Sequence, residues 1–261
     1  MTAIALDSFF QQLAEASGAV ILPFFRMANS VSNKLGPGGF DPVTEADRAA
    51  ELAIRQLIKK AFPDHAIRGE EFGVENEGAE YEWIIDPIDG TRGFICGLPT
   101  WGTLVGLMRN GNPVYGMMNQ PYVGERFVGD GKTARLISAR GERLLSTRRC
   151  ASLSEAFIST TSPRILLGEQ GAAYDRLEAQ CKLPRYGGDC YSYAMLAAGQ
   201  IDLVCEAGLQ AYDIAPLIPV IEGAGGIVTT WSGGSAAKGG AILASGDPKL
   251  HDEALRILSG G

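Results

Sequence analysis

The sequence contains few histidines, and this limits the enzyme classes to which it can belong. Only His65 and His251 occur among the 261 residues, and neither lies near a nucleophile motif. Hydrolases with a Ser-His-Asp or Cys-His arrangement need a histidine base beside the nucleophile. That arrangement is not expected here, so any chemistry must rest on the 30 aspartate and glutamate side chains.

Cysteines are also few, and their number is odd. None of the five forms a C-x-x-C pair, so neither a disulfide framework nor a zinc ribbon is expected. The N-terminal residues lack the pattern of a signal peptide, and no apolar run approaches the roughly 18 residues of a membrane helix. These features predict a soluble, cytoplasmic protein without a membrane partner. The cysteines are Cys96, Cys150, Cys181, Cys190 and Cys205.

Basic residues are outnumbered by acidic ones, which gives a formal net charge of -7 and a pI near 5.0. A nucleic-acid partner is therefore not expected, because no basic surplus exists to contact a phosphate backbone. An acidic enzyme can still act on anionic substrates if bound metal ions reverse the local field. The 46% hydrophobic content is enough for one large domain or two small ones.

Hydrophobic periodicity predicts helices and an antiparallel sheet in the first half of the chain. Apolar spacing favours a helix over 3–29, which Pro23 should interrupt, and a Gly-rich loop over 34–40. A second helix is predicted over 45–61, and strands and turns follow from residue 66 to 145. The predicted buried side of the second helix carries Leu52, Ile54, Leu57 and Ile58.

The second half alternates strands and helices, which is typical of an α/β arrangement. The segment 146–155 between the halves is polar and without periodicity. We therefore predict an N-terminal α+β domain over 1–148 that carries an antiparallel sheet, and a C-terminal α/β domain over 149–261.

The densest chemical signal is the run Trp83-Ile-Ile-Asp-Pro-Ile-Asp-Gly-Thr91. An apolar strand leads into Asp86 and Asp89, with a proline and then a glycine to shape the turn. Two carboxylates aimed at one point repel each other unless a hard cation lies between them. An isolated Asp-Pro or Asp-Gly usually marks only a solvated turn. The six-residue string Asp86-Pro-Ile-Asp-Gly-Thr91 has a chance frequency of about one in ten million per position, which favours the functional interpretation.

Three further acids fit either a structural or a functional interpretation. Glu70 follows Gly69 and could be a surface charge or another ligand of the same cluster. Asp47 lies three residues after Thr44, a pattern that also fits helix capping. Asp213 begins a predicted apolar helix, where capping is again the simple explanation.

Taken together and in this order, the motifs resemble the inositol monophosphatase superfamily of magnesium-dependent, lithium-sensitive phosphatases. The resemblance covers nearly the whole chain. It implies a layered α-β-α-β-α sandwich of the inositol monophosphatase / fructose-1,6-bisphosphatase type, usually as a homodimer. The matching segments are Asp41-Pro-Val-Thr-Glu-Ala-Asp47, Gly69-Glu-Glu71, Trp83–Thr91, and Tyr212-Asp-Ile-Ala215 followed by Glu222-Gly-Ala-Gly-Gly226.

The resemblance also implies a role for each matching residue. Thr91, hydrogen-bonded to Asp47, would orient the attacking water, and the N–H groups of Gly90 and Thr91 would bind phosphate. Glu70 would assist catalysis through a third, weaker ion, so two or three Mg²⁺ are expected. The first ion would be held by Glu70, Asp86 and the Ile88 carbonyl, and the second by Asp86, Asp89 and Asp213.

Within the superfamily, the stretch from Asp89 to Val105 and the stretch from Arg185 to Tyr191 resemble the histidinol-phosphatase branch. Asp189 stands where inositol phosphatases usually have a small or neutral residue, and a carboxylate suits the ammonium group of histidinol phosphate. Glu206 matches a position that contacts the leaving alcohol. Arg92 and Trp101 could line the pocket, or could be a surface charge and a buried aromatic ring.

Other functions remain open at this point. The same chemistry would serve inositol monophosphate, fructose bisphosphate or a phosphoadenosine nucleotide. A non-catalytic protein that binds metal or phosphate for regulation or assembly is the alternative from a different class. The favoured prediction is a magnesium-dependent histidinol-phosphate phosphatase that binds a small phosphate monoester and forms a homodimer, and a partner in the histidine pathway is left open.

Overall fold

The computed structural model of the protein describes residues 3–26, 31–33 and 42–260. Its centre is an eight-stranded sheet with strand order β10-β9-β8-β7-β6-β5-β3-β4, and only β3 and β5 pair in parallel. The strands are β3 (Ala66–Gly69), β4 (Gly73–Glu75), β5 (Tyr81–Asp89), β6 (Gly102–Arg109), β7 (Asn112–Gln120), β8 (Glu125–Gly129), β9 (Ala134–Ser138) and β10 (Gly141–Leu144). A separate pair, β1 (Val31–Asn33) and β2 (Pro42–Thr44), is antiparallel.

A second sheet has five strands in the order β12-β11-β13-β15-β14. Strand β11 pairs in parallel with both of its neighbours, and the other pairs are antiparallel. The strands are β11 (Phe157–Thr160), β12 (Leu183–Tyr186), β13 (Leu203–Leu209), β14 (Ile227–Thr230) and β15 (Gly240–Ser245).

Helices separate and cover the two sheets. The helices α1 (Ala3–Ile21) and α2 (Glu45–Ala61) cover the outer face of the large sheet. Between the sheets lie α5 (Asp189–Ala197), α6 (Ala211–Ile214) and α7 (Ile218–Gly223), and the outer face of the small sheet packs on α4 (Gly168–Glu178) and α8 (Pro248–Leu258). A short α3 (Thr91–Ile95) follows β5. The predicted α-β-α-β-α sandwich is confirmed.

Strand β5 shows why the sequence adopts this layering. Successive side chains of a strand point to opposite faces, so a strand covered on both faces needs apolar residues at every position. Trp83 and Ile85 lie in the core under α1 and α2, whereas Ile84 lies in the core between the sheets. All three are at most 1% exposed. The strand that carries the acidic motif is therefore held rigidly on both sides.

Two helix predictions need correction. Pro23 interrupts the helix predicted over 3–29, as expected, but the helix ends at Ile21 and does not reach residue 29, because a proline disfavours helical backbone at the preceding residue. Leu52 is 46% exposed, whereas the charged Glu51 and Arg55 are buried. Ion pairing buries these two charged side chains. Ile54 and Ile58 are buried and Leu57 is half-buried, as predicted, so only Leu52 is misplaced. The Gly-rich loop over 34–40 and the Thr44 side chain lie outside the described residues.

The other predicted elements are mostly confirmed. The hairpin between β6 and β7 turns at Asn110 and Gly111, whose φ angles of 49° and 76° are those that a two-residue hairpin requires. The edge strand β12 is missed, because Pro184 weakens its strand pattern. The boundary at 148/149 lies between β10 and β11, and separate folding of the two halves stays a prediction. Across the described ranges, every helix is too short or too polar to cross a membrane.

Candidate active site

A bulge near the end of β5 places two aspartates on the same side of the strand. Pairing with β6 runs regularly to Asp86 opposite Leu104, then resumes at Asp89 opposite Gly102 with a shift in register. Residues three apart in a regular strand point to opposite faces. The extra residue lets both carboxylates face one point, and Pro87 lies where a strand proline is tolerated.

The third carboxylate comes from the second half of the chain. Asp213 lies on the first turn of α6, and its Oδ2 accepts the backbone N–H of Gln210 at 2.6 Å in a capping box. The predicted capping role is therefore present, and the same residue also reaches the β5 motif. Ligand oxygens of Asp86, Asp89 and Asp213 all lie within 4.8 Å of one another.

Burial and mutual repulsion make these carboxylates hard to ionise together. Asp86 is 2% exposed, and its pKa is raised well above the ordinary value by burial, then by the charges of Glu70, Asp89, Asp213 and Asp47. Burial and the charges of Asp189 and Asp213 do the same to the pKa of Asp89. Burial raises the pKa of Asp213 to about 6. Without a cation, this cluster is destabilising at neutral pH.

A hard divalent cation fits this arrangement. The Oδ1 atom of Asp86 is buried and has no hydrogen-bond partner among the described residues. Three convergent carboxylates with such an open oxygen form the type of site that binds Mg²⁺. Glu70 directly follows β3, and its N–H donates to the Ile85 carbonyl at 3.2 Å, so its backbone is fixed beside Asp86. The residues present could hold the metal ions that the resemblance implies.

The turn after β5 brings the motif to the second half of the chain. Gly90 has a φ of 85°, and a Cβ there would lie 3.0 Å from the Thr100 carbonyl oxygen and 3.2 Å from the Asp189 Cβ. Only glycine fits this position without strain. The Thr91 hydroxyl donates to the Ile88 carbonyl at 3.0 Å. Its contact with Asp47 and the phosphate contacts of residues 90 and 91 stay predictions.

A second pair of acids lies next to this turn. The Thr161 hydroxyl is 2.9 Å from both Asp189 Oδ1 and Glu206 Oε1, and the Thr161 N–H donates to Glu206 at 2.6 Å. Burial raises the pKa of Glu206 to about 7, although the Thr161 hydrogen bonds oppose the shift. Burial also raises the pKa of Asp189, while Thr161 and the positive charge of Arg92 oppose it. One hydroxyl proton cannot satisfy both carboxylates.

The first turn of α5 connects the acid pair (Asp189 and Glu206) to the acidic cluster (Asp86, Asp89 and Asp213) through a hydrogen bond. The Cys190 N–H, which follows Asp189 in the first turn, donates to Asp89 Oδ2 at 2.7 Å. Asp189 itself has a φ of 42°, an uncommon value that aspartate and asparagine adopt more readily than most residues. The predicted metal ligands and the predicted substrate-binding acids therefore lie side by side.

Trp101 and Arg92, the two residues that could line the pocket, differ in their exposure to solvent. Trp101 is fully buried and packs against Phe25 and Phe94, so the structural alternative is correct and it does not line the pocket. Arg92 is exposed and close enough to influence Asp189.

Sequence reasoning missed Thr161 and Cys190. The one available signal was that Thr161 follows an apolar strand, where ligand-binding residues often occur.

Comparison with known proteins agrees with these features. The sequence profile of the inositol monophosphatase family matches residues 5–259. The chain is 43% identical over 258 residues to the chloroplastic bifunctional phosphatase IMPL2 of Arabidopsis thaliana, covering 94% of this chain and 72% of that protein. It is 35% identical to a histidinol-phosphatase of Streptomyces coelicolor, covering 95% and 94% of the two chains. An inositol monophosphatase structure from Zymomonas mobilis superimposes with a TM-score of 0.87 at 37% identity, covering 99% of this chain and 100% of that one.

The raised pKa of Asp213 predicts how the metal-free protein responds to pH. The pKa rises from 3.8 to about 6 on folding, so the stability contributed by this group is lost as the pH rises through that range. Asp213→Asn keeps the capping oxygen and removes the charge. In chelator near pH 7.5, we expect the variant to unfold with a free energy about 1–3 kcal/mol higher than the wild type.

Urea unfolding in chelator at about pH 5 and about pH 7.5 measures this difference. The exposed Asp175→Asn is the control and should change little at either pH. Added Mg²⁺ should stabilise the wild type more than Asp213→Asn, because amide oxygen is a weaker ligand. A variant that is less stable than the wild type at both pH values would contradict the electrostatic account.

Proposed function

This chain belongs to the inositol monophosphatase family, and we propose that it is a Mg²⁺-dependent phosphatase that hydrolyses histidinol phosphate to histidinol and phosphate. The family places its activity among phosphatases of small phosphate monoesters. The choice of histidinol phosphate draws support from the histidinol-phosphatase relatives and from the acids around Thr161.

The acid pair is the observation that carries the substrate assignment. Asp189 and Glu206 share one threonine hydroxyl, and neither forms an ion pair among the described residues. Glu206 is buried and Asp189 is half-buried, and carboxylates in this state favour a ligand that brings positive charge and N–H donors. Histidinol phosphate has an ammonium group near its phosphate ester, whereas inositol phosphate and fructose bisphosphate have only hydroxyl groups there. The adjacent acidic cluster supplies the phosphate end of the same site.

The residues of this chain divide the work of the reaction. We assign Asp86, Asp89, Asp213, Glu70 and the Ile88 carbonyl to holding Mg²⁺, which when bound neutralises phosphate charge and lowers the pKa of water.

The backbone N–H groups of Gly90 and Thr91 hold phosphate oxygens. Thr91 and Asp47 orient a water for attack in line with the departing alcohol, and Asp189 and Glu206 bind the alcohol. This mechanism needs no phosphoenzyme, which suits a site without a histidine nucleophile.

Three further properties belong to this proposal because the family resemblance implies them. They are a homodimeric state, a cytoplasmic location and inhibition by lithium. Size-exclusion chromatography with light scattering tests the first, and phosphate release in the presence of Li⁺ tests the third.

A substrate panel tests the proposed activity. Phosphate release would be measured from histidinol phosphate, inositol 1-phosphate, fructose 1,6-bisphosphate and phosphoadenosine phosphate, with Mg²⁺ and again with chelator. We expect a preference for histidinol phosphate that disappears in chelator. Preference for another ester would leave the metal-dependent mechanism and refute the substrate assignment. If no ester is hydrolysed although Mg²⁺ binds, the non-catalytic alternative is correct.

Asp189→Asn tests the role of the carboxylate with little disturbance of the backbone. Asparagine tolerates the positive φ of 42° and can still accept the Thr161 hydrogen bond, so mainly the charge is lost. We expect kcat/KM for histidinol phosphate to fall about 10- to 100-fold, the value of a charge-assisted hydrogen bond.

Inositol 1-phosphate is the internal control for this variant, because it has no cation to lose contact with Asp189. Its slower hydrolysis should change by no more than about threefold. An equal loss of kcat/KM on both substrates would show that Asp189 supports the site in general and does not select the ammonium group.

A further inference from the structure

One face of α2 packs against the turn that carries Glu70. Arg48, Glu51 and Arg55 are spaced by three and four residues and therefore lie on the same side of the helix. The Arg48 guanidinium stacks over the Phe72 ring at 4.9 Å and lies 4.0 Å from the Glu71 carboxylate. The helix thus contacts the turn between β3 and β4 directly after the predicted metal ligand.

Glu51 makes the central contacts of this face. It is 0% exposed, and its Oε2 accepts the backbone N–H of Glu71 at 2.7 Å. Its Oε1 accepts the Phe72 N–H at 3.3 Å and the Arg55 Nε–H at 2.7 Å. Both oxygens of one buried carboxylate therefore bind consecutive backbone donors of the turn.

Arg55 also links α2 to this segment, through residues that follow the turn. The residue is 2% exposed, and its guanidinium donates to the Gly73 carbonyl at 2.5 Å and to Glu75 at 3.0 Å. The Glu51–Arg55 pair thus satisfies two backbone donors within the turn and a backbone acceptor directly after it. Buried pairs of this kind often add little stability compared with apolar packing, so a positional role is a reasonable alternative.

Gly69 leaves the space that Glu51 occupies. A Cβ on Gly69 would lie 2.0 Å from Glu51 Oε1. On one side of Glu70, the Gly69 backbone therefore packs directly against the Glu51 carboxylate. On the other side, the Glu71 N–H donates a hydrogen bond to the same carboxylate. The Glu70 N–H donates to β5 at Ile85, next to Asp86. The hydrogen bonds from the Glu70 N–H to Ile85 and from the Glu71 N–H to Glu51 fix the peptide groups on both sides of Glu70.

We infer that Glu51 is a positioning residue that fixes the backbone of Glu70 so that its carboxylate faces Asp86. This inference rests on the proposed metal-dependent function. Groups that orient metal ligands typically change metal affinity by about 10- to 100-fold when they are removed. Both Glu51 oxygens already accept N–H bonds, so Glu51 would act on the metal site through the turn between β3 and β4 and not as a ligand.

Glu51→Gln is the direct test. Both oxygens of Glu51 accept N–H bonds, so an amide must point its NH₂ group at a donor and release part of the turn. Isothermal titration of the substrate-free protein with Mg²⁺ is the readout. We expect the dissociation constant to rise about 10-fold or more, while KM for histidinol phosphate at saturating Mg²⁺ changes less than about twofold.

Gly69→Ala is a second variant that reaches the same contact without altering a charge. The added methyl group must displace the Glu51 carboxylate, so Mg²⁺ affinity should fall in the same direction. Circular dichroism and thermal unfolding establish that each variant is folded before titration. If Glu51→Gln does not fold, Gly69→Ala decides the question.

Asp202→Asn is the matched control. Asp202 is likewise 0% exposed, accepts a backbone N–H from Phe157 at 2.7 Å and pairs with Arg148. It binds the start of β11, at the opposite end of that strand from Thr160. We expect a lower melting temperature and an unchanged Mg²⁺ dissociation constant.

The outcomes separate this inference from the proposed function. Unchanged Mg²⁺ affinity in folded Glu51→Gln or Gly69→Ala would overturn the positioning role, as would an equal loss in Asp202→Asn. Failure of the wild-type protein to bind Mg²⁺ would overturn the metal-dependent function itself, and the inference with it.

Discussion

Repulsion between buried carboxylates is the constraint on which the site depends. Asp86, Asp89 and Asp213 present oxygens within 4.8 Å of one another in a largely buried position. Such a cluster costs stability unless a cation or protons neutralise it. The surrounding structure must therefore hold the three side chains against their own repulsion. The bulge in β5, the capping box of α6 and the layers on both faces of β5 provide that rigidity.

The site forms where the two halves of the chain meet. The large sheet supplies Asp86, Asp89 and the turn at Gly90, and α2 braces the turn beside Glu70. The second half supplies Asp213 and the acid pair of Asp189 and Glu206. In the proposed function, metal binding and substrate selection use different elements, and these are linked by the hydrogen bond from the Cys190 N–H to Asp89. Under that proposal, substrate preference can change through α5 while the metal ligands stay the same.

Sequence reasoning located the main acidic motif from a local pattern, whereas the layered fold was implied by the family resemblance that this motif and three others carry. It did not find the bulge that aligns Asp86 and Asp89, since the register shift depends on pairing with β6. Leu52 was wrongly predicted to be buried, and the burial of Glu51 was not predicted, because an ion pair and backbone hydrogen bonds override the usual burial preference of a glutamate. Thr161 was missed because a threonine after a strand is common and becomes informative only beside two carboxylates.

The most direct test of the account is to count protons released when Mg²⁺ binds. Titration calorimetry in buffers of different ionisation enthalpy gives this number at each pH. Raised pKa values in the cluster, with Asp213 at about 6, mean that protons must leave when the cation enters. We expect release of about one proton or more near pH 6, with the number falling as the pH rises. Binding heats that do not depend on the buffer at any pH would contradict a site built from repelling, buried carboxylates.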